Sequence, residues 1–139
     1  MRDAPKAVNE FAIPVRVYIE DTDAGGIVYY VNYLKYMERA RTEYMRAQGF
    51  DKRYIFTEDL MFVVSSVEIK YQRPARLDDE LQATAKIVEA GAVQLLFEQR
   101  ILRAADELCS GYVRVACVDV ETLKPRRIPR DLLQTMMAE

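Results

Sequence analysis

The C-terminal half of the sequence contains three long runs in which apolar and polar residues alternate. They cover residues 81–88, 93–102 and 108–120, and short turns at 90–92 and 104–107 separate them. An alternation of period two predicts β-strands with one buried face. Because strands joined by turns this short pair antiparallel, the pattern predicts a three-stranded antiparallel meander.

Two more strand-like runs precede the meander. Residues 11–19 carry apolar side chains at every odd position, and residues 63–71 also alternate. Proline cannot donate to a ladder, so Pro14 places the first strand at an edge of the sheet or at a bulge. Residues 50–60 carry few signals and are interpreted as a connection.

One helix is predicted over residues 33–48, between the first two strands. Asn32 is a plausible N-cap, and Gly49 suits the left-handed residue that ends a helix. The apolar face is expected to contain Tyr33, Met37, Ala40, Tyr44 and Ala47.

The elements together predict one α+β domain spanning residues 1–139. A five-stranded antiparallel sheet would pack one face on the long helix. The basic tail that begins at Lys124 leads into a short C-terminal helix. Residues 1–10 are expected to form a flexible N-terminal segment.

Composition excludes several classes of function. The formal net charge of −2 provides no basic field for nucleic acid. No apolar run approaches the length of an integral membrane segment, and the N-terminus lacks a signal-peptide core. We therefore expect a cytoplasmic protein.

The chain contains no histidine. Catalytic triads, Cys–His pairs and most zinc sites are thereby excluded, and we expect no metal. Cys109 and Cys117 lie in one predicted strand, roughly 26 Å apart at about 3.3 Å per residue, which is too far for a disulfide. We expect two buried free thiols.

The connection from the first strand to the helix has the composition of an active site. Asp21, Asp23, Gly25 and Gly26 lie just before the helix. Such a loop places a carboxylate beside backbone N–H groups that bind anions. A calcium loop is excluded, because its fifth position is Gly25 and its twelfth is Asn32 rather than glutamate.

The residues of this loop also have structural interpretations. Asp23 could cap local amides, as aspartate in a turn commonly does. Asp21 is expected to be structural. Both glycines suit positive φ angles, and glycine also permits close approach of the backbone to a substrate.

Five segments of the chain resemble the YbgC-type, Tol–Pal-associated acyl-CoA thioesterases. They are residues 16–29, 36–43, 62–64, 71–79 and 118–126, in the family's order and spacing. The resemblance implies the hotdog fold, in which an antiparallel sheet wraps around a long helix. It also implies a homodimer or homotetramer that hydrolyses acyl-CoA, a step of lipid metabolism, without a cofactor.

The resemblance assigns roles to individual residues. Asp23 matches the catalytic aspartate. Tyr30 stands where many members carry histidine, and at this position the chain instead resembles the related 4-hydroxybenzoyl-CoA thioesterases, whose loop lacks that histidine. The oxyanion and substrate residues would be Gly26, Tyr30, Val31 and Asn32, with Tyr30 acting through its backbone N–H. The partner subunit's pocket would include Val64, Ser65 and Ser66. Lys124, Arg126 and Arg127 are candidates to bind the CoA phosphates, because arginine suits phosphate geometry.

Three functions follow as hypotheses. The first is hydrolysis of acyl-CoA with Asp23 as nucleophile or general base; an acyl carrier protein is an alternative donor. The second is a hotdog hydratase or dehydratase, which characteristically pairs a carboxylate with the histidine that this chain lacks. The third is a non-catalytic module that binds acyl-CoA or acyl carrier protein.

Overall fold

The structure is a computed structural model that describes residues 10–50 and 59–137. It contains one long helix, a five-stranded antiparallel sheet and a short C-terminal helix, as predicted. In chain order the elements are β1 (Phe11–Arg16), a 3₁₀ turn (Ile19–Asp21), α1 (Val31–Ala47), β2 (Leu60–Tyr71), β3 (Glu80–Ala90), β4 (Gln94–Arg103), β5 (Asp106–Asp119) and α2 (Arg130–Met137).

The strand order in the sheet is β1-β3-β4-β5-β2. The predicted meander is confirmed, because β3, β4 and β5 pair consecutively and antiparallel. Strand β1 is an edge strand that pairs only with β3, so the interpretation of Pro14 is also confirmed. Strand β2 forms the other edge, next to β5.

The prediction of Asn32 as the N-cap of α1 is wrong. The helix begins at Val31 with Tyr30 as N-cap, two residues earlier than expected. The backbone N–H of Asn32 bonds to the carbonyl of Tyr29 (2.8 Å), and its side chain donates to the carbonyl of Asp21 (2.8 Å). Gly49 follows the helix with φ of 100°, as predicted.

The apolar face of α1 packs on β1, β3 and β4. The buried stripe runs through Tyr36, Ala40 and Tyr44, and it includes the predicted Tyr33 and Met37. The prediction that Ala47 is buried is wrong, since it is exposed. At 3.6 residues per turn Ala47 shares the azimuth of Ala40, so the last turn of α1 extends beyond the sheet.

The half of the sheet formed by β5 and β2 is less covered by α1. Opposed residues of an antiparallel pair point to the same face. Val64 opposes Val115 and Val67 opposes Val113, so all four face the helix side. Both β5 residues are buried, whereas Val64 is 49% and Val67 45% exposed. An apolar surface is therefore open along the β2 edge.

Two predicted segments fall largely outside the described residues. They are the flexible segment 1–10 and the connection 50–60, of which the structure describes Glu10, Phe50, Asp59 and Leu60. The Glu10 carboxylate pairs with the Arg100 guanidinium, so this residue is attached to β4. The prediction of a single domain over residues 1–139 stays a prediction.

Candidate active site

Asp23 lies at the tip of a small hairpin that precedes α1. Its N–H donates to the carbonyl of Ile27 (3.0 Å), and its carbonyl accepts from Gly26 (3.1 Å). A bridge between Thr22 and Val28 closes the base of the hairpin. The Asp23 carboxylate is exposed, and Oδ1 accepts the N–H of Gly25 at 2.8 Å. One carboxylate oxygen is therefore held by the turn.

The two glycines of the hairpin differ in their backbone. Gly26 has φ of 79°, as predicted, whereas Gly25 lies outside the left-handed region, so that prediction is wrong. Gly25 is needed for space: a Cβ there would lie 3.3 Å from Asp23 Oδ1. A side chain at this position would crowd the carboxylate.

The hairpin is bound to the connection between β2 and β3. Val28 donates to the carbonyl of Ala75 (2.8 Å), and the N–H of Leu77 donates to the carbonyl of Gly26 (3.3 Å). The N–H of Ala75 donates to the hydroxyl of Tyr33 on α1 (2.9 Å). Strand connection, hairpin and helix therefore position Asp23 together.

Asp79 anchors this connection. Its carboxylate accepts the N–H of Arg76 (2.9 Å) and the guanidinium of Arg103 (2.8 Å). Burial opposes the charge, but these hydrogen bonds and the positive charge of Arg103 hold the pKa of Asp79 below its usual value.

Asp21 has the structural role that we expected. Oδ2 accepts the N–H of Tyr18 at 3.0 Å, and its carbonyl accepts bonds from Tyr29 and Asn32. Burial, together with the nearby Asp21 carboxylate, raises the pKa of the Tyr36 phenol. The Asp21 carboxylate therefore faces the interior of the loop, whereas that of Asp23 is exposed.

The N-terminus of α1 offers two backbone donors. The N–H groups of Asn32 and Tyr33 bond to the carbonyls of Tyr29 and Tyr30. No described residue accepts a hydrogen bond from the N–H of Tyr30 or Val31. Unsatisfied N–H groups and the positive end of the helix dipole make an anion site. The structure supports Tyr30 and Val31 as donors but leaves no backbone donor at Asn32.

Tyrosine rings surround these two donors. The Tyr30 ring is 56% exposed and meets the rings of Tyr29 and Tyr71 at centroid distances of 5.1 and 5.7 Å. Tyr71 also contacts Tyr33 at 5.7 Å. Burial raises the pKa of the Tyr33 and Tyr71 phenols, so both are neutral at neutral pH. The two donors are therefore bordered by an aromatic wall.

A cleft of about 600 Å³ opens between the second half of α1 and the start of β2. The predicted pocket residue Val64 lines it. Ser66 opposes Arg114 and points to the other face of the sheet, and the Ser65 hydroxyl bonds to the carbonyl of Arg114 (3.3 Å) at a bulge. The structure thus brings Val64 to the cleft, but not Ser66.

The predicted phosphate-binding residues lie at the far end of the sheet. Arg126 donates its backbone N–H to Cys117, and its side chain lies 4.0 Å from Asp119. The Asp23 hairpin is bonded to Ala75, two residues after Arg73, and the N–H of Arg73 bonds to the carbonyl of Leu108 near the start of β5. Asp119 lies eleven residues after Leu108 along β5, a distance of about 36 Å along the strand. One subunit therefore does not bring Lys124, Arg126 or Arg127 to Asp23.

The two cysteines add no reactive thiolate. Cys109 and Cys117 are buried free thiols, as predicted. Burial raises their pKa to about 12 and about 11, so they stay protonated.

Among residues 10–50 and 59–137 no group of three His, Cys, Asp or Glu side chains could hold a metal ion. In the same ranges, no helix is long and apolar enough to cross a bilayer.

The sequence analysis missed a buried polar network beneath α1. Gln99 is fully buried and donates to the carbonyls of Met37 (3.0 Å) and Thr84 (2.9 Å). Its side-chain oxygen Oε1 accepts a hydrogen bond from the Arg41 guanidinium at 2.9 Å. The sequence did contain a signal for this network. Gln99 lies at the same alternating positions of β4 as the apolar residues Leu95, Phe97 and Ile101, and a polar residue on a buried face needs hydrogen-bond partners.

Comparison with known proteins identifies the family. The family model of the "Thioesterase-like superfamily" matches residues 17–136. The chain belongs to this superfamily. The resemblance found in the sequence is thereby confirmed.

Individual members of the thioesterase-like superfamily are similar over most of the chain. The "Acyl-CoA thioesterase YbgC" of Haemophilus influenzae is 45% identical over 125 residues, 89% of this chain and 92% of that protein. The "Acyl-CoA thioester hydrolase YbgC" of Escherichia coli O6:H1 is 43% identical, covering 88% and 92%. The crystal structure of a "Probable Thioesterase" from Bartonella henselae has a TM-score of 0.80 at 35% identity, covering 85% of this chain and 98% of that one. The predicted hotdog fold is confirmed.

Proposed function

We propose that this protein hydrolyses acyl-CoA thioesters to a free acid and CoA. The observation that carries the proposal is the position of the exposed Asp23 carboxylate in the hairpin before α1. At the start of this helix, the N–H groups of Tyr30 and Val31 donate to no described residue. Membership of the superfamily and the names of the two YbgC relatives support the same activity.

The helix N-terminus would stabilise the negative charge that develops on the acyl carbonyl oxygen. Two preorganised N–H donors and the helix dipole act where the charge forms. Gly26 and Asn32 contribute by holding the turn and the loop, since the N–H groups of both are already bonded. The Tyr30 side chain forms part of the wall.

Asp23 would promote the reaction either as a nucleophile or as a general base. As nucleophile, its carboxylate adds to the carbonyl carbon, the C–S bond breaks, and water then hydrolyses the mixed anhydride. As general base, it accepts a proton from the attacking water, the C–S bond breaks, and the proton passes to the thiolate. Because a thiolate is a good leaving group, neither route needs a histidine acid.

A homodimer or homotetramer would complete each site. Strand β2 exposes its backbone edge, and its face toward α1 exposes Val64 and Val67. A two-fold antiparallel pairing of β2 with its copy would cover this edge. It would also bring the partner's Val64 region toward the Asp23 hairpin, which lies at the Tyr71 end of β2.

The same pairing would carry the partner's basic tail toward the substrate. Lys124 and Arg126 lie near Asp119, which opposes the first residue of β2, Leu60. Antiparallel strands place this end beside the Tyr71 end of the other subunit. The CoA phosphates would then meet Lys124, Arg126 and Arg127 of the opposite subunit. An acyl carrier protein is the alternative donor.

Release of free CoA from a panel of acyl-CoAs, followed with a thiol reagent, tests the proposal. We expect turnover that continues over many equivalents of substrate. Binding without release of CoA would instead show a non-catalytic module. Addition of water to an enoyl-CoA, with the thioester intact, would show a hydratase.

A further inference from the structure

The cleft between α1 and β2 is mostly apolar. Its volume of about 600 Å³ lies within the range of small-molecule pockets. Its apolar wall consists of Met45, Phe50, Met61, Phe62, Phe97 and Val115.

Arg41 contributes a cation to this wall. Its guanidinium is fixed by the bond from Nη1 to the side-chain oxygen Oε1 of Gln99 (2.9 Å). Gln99 is itself immobile, since it is fully buried and its amide group donates to two carbonyls. The guanidinium is therefore positioned by the core, unlike a solvated surface arginine.

Most of the donor capacity of Arg41 is unused. A guanidinium has five N–H donors, and Gln99 is the one described residue that accepts from it. A partly buried cation is costly unless it is paired, and arginine fits a carboxylate in bidentate geometry. The cleft thus has an unfilled position for an anionic oxygen.

Other charged groups of the cleft lie at its mouth. Glu38 is exposed, lies one helical turn before Arg41, and makes no hydrogen bond or ion pair with it. Arg46 is exposed and pairs with Glu43. Glu38 weakens the field of Arg41 from the rim but does not occupy its donors.

We propose that this cleft binds the acyl group of the substrate and that Arg41 selects acyl groups ending in a carboxylate. The proposal rests on the proposed thioesterase function and names its substrate class, an ω-carboxyacyl thioester. The apolar wall takes the methylene chain, and the terminal carboxylate accepts hydrogen bonds from the guanidinium.

The length of the acyl group decides whether it reaches Arg41. Ten residues separate Val31 from Arg41, about 15 Å along the helix, so within one subunit only a long acyl group spans the distance. In the two-fold arrangement the partner's cleft opens at Val64 beside the Asp23 hairpin, and a shorter group suffices. The preferred length is therefore part of the test.

The experiment compares ω-carboxyacyl-CoAs of four to ten carbons with unbranched acyl-CoAs of the same length. For the wild-type protein, we expect kcat/KM for at least one carboxylated substrate to equal or exceed the value for the unbranched acyl-CoA of the same length. Arg41→Gln removes the charge but keeps an amide that can bond to Gln99. It should lower the ratio of carboxylated to plain substrate about tenfold or more, chiefly through KM. Arg39→Gln, on the outer face of α1, is the matched control and should leave the ratio unchanged.

Glu38→Gln tests the proposal without disturbing the Arg41–Gln99 bond. It should raise the ratio, because it removes the competing carboxylate at the rim. An unchanged ratio in Arg41→Gln at every chain length would overturn the assignment of Arg41, whatever the result for Glu38→Gln, while leaving the thioesterase intact. If the wild-type protein releases CoA from neither series, the proposed function itself fails.

Discussion

At the residue scale, the proposed chemistry depends on the contrast between two aspartates two positions apart. Asp21 is bonded to the N–H of Tyr18 and supports the loop, whereas Asp23 is exposed at the hairpin tip. Their residue types are identical, so the hydrogen bonds around them decide their roles. The N–H groups of Tyr30 and Val31, which donate to no described residue, form the second part of the proposed site.

Asp23→Asn should keep the fold and reduce turnover by several powers of ten. The amide is neither a base nor a nucleophile, and loss of such a group commonly has an effect of this size. Turnover of a good acyl-CoA and the thermal unfolding midpoint check this. Asp21→Asn is the informative comparison, because it should lower stability more than it lowers kcat. A rate close to that of the parent protein would show that Asp23 is not catalytic.

Tyr30→Phe should reduce turnover only modestly. The substitution removes a hydroxyl but keeps the backbone N–H and the ring contacts with Tyr29 and Tyr71. Steady-state kcat and KM measure the effect. A loss as large as that of Asp23→Asn, in a folded variant, would mean that the phenol takes part in the reaction.

At the element scale, the connection between β2 and β3 holds the Asp23 hairpin against α1. Ala75 contacts both the hairpin and Tyr33, and Asp79 fastens the connection to Arg103 on β4. The prediction of the strands followed from alternation, a local property. Alternation does not predict these contacts, because they join residues far apart in the chain.

Asp79→Asn should destabilise the protein at pH 7 by about 1 kcal/mol. The substitution removes the ion pair with Arg103, and a partly exposed ion pair contributes no more than this to the free energy of unfolding. The pKa of Asp79 is lower in the folded state than its usual 3.8, so its contribution is present above pH 3.8. It is lost as the pH falls below 3.8 through the folded-state pKa. Urea unfolding at pH 7 and at pH 3 measures both effects, and the difference in stability between the two proteins should be smaller at the lower pH.

Asp78→Asn is the matched control for this prediction. Asp78 is the exposed neighbour of Asp79, and no described residue bonds to its carboxylate. Asparagine tolerates its φ of 71°. A loss of stability in Asp78→Asn equal to that in Asp79→Asn would show that the ion pair with Arg103 is not the cause.

At the scale of the whole molecule, the surface along β2 is the feature that a single subunit leaves open. Helix α1 packs on the other half of the sheet, and Val64, Val67 and Tyr71 remain 45 to 49% exposed on β2. An exposed edge strand with an apolar face is suited to pairing with a second copy.

Val67→Lys should therefore weaken self-association and lower activity while the subunit stays folded. A charge on the open face of β2 would be buried without a partner in the dimer. Sedimentation at micromolar concentration and turnover measure the two effects. Val88→Lys, which changes a similarly exposed valine on β3, is the control and should leave both unchanged. A wild-type protein that sediments as a stable, fully active monomer would contradict the shared active site.

The sequence by itself determined the elements, the meander, the edge position of β1 and the loop that carries Asp23. These follow from alternation, helical spacing and the backbone limits of proline and glycine, all of which act locally. Only the tertiary structure decided that β2 pairs with β5 rather than with its chain neighbour β3. It also decided that Asn32 bonds to Asp21 instead of capping α1, and that Arg41 reaches Gln99. The physical reason is that each of these outcomes depends on which distant partner buries a surface or satisfies a polar group, and local periodicity does not encode that partner.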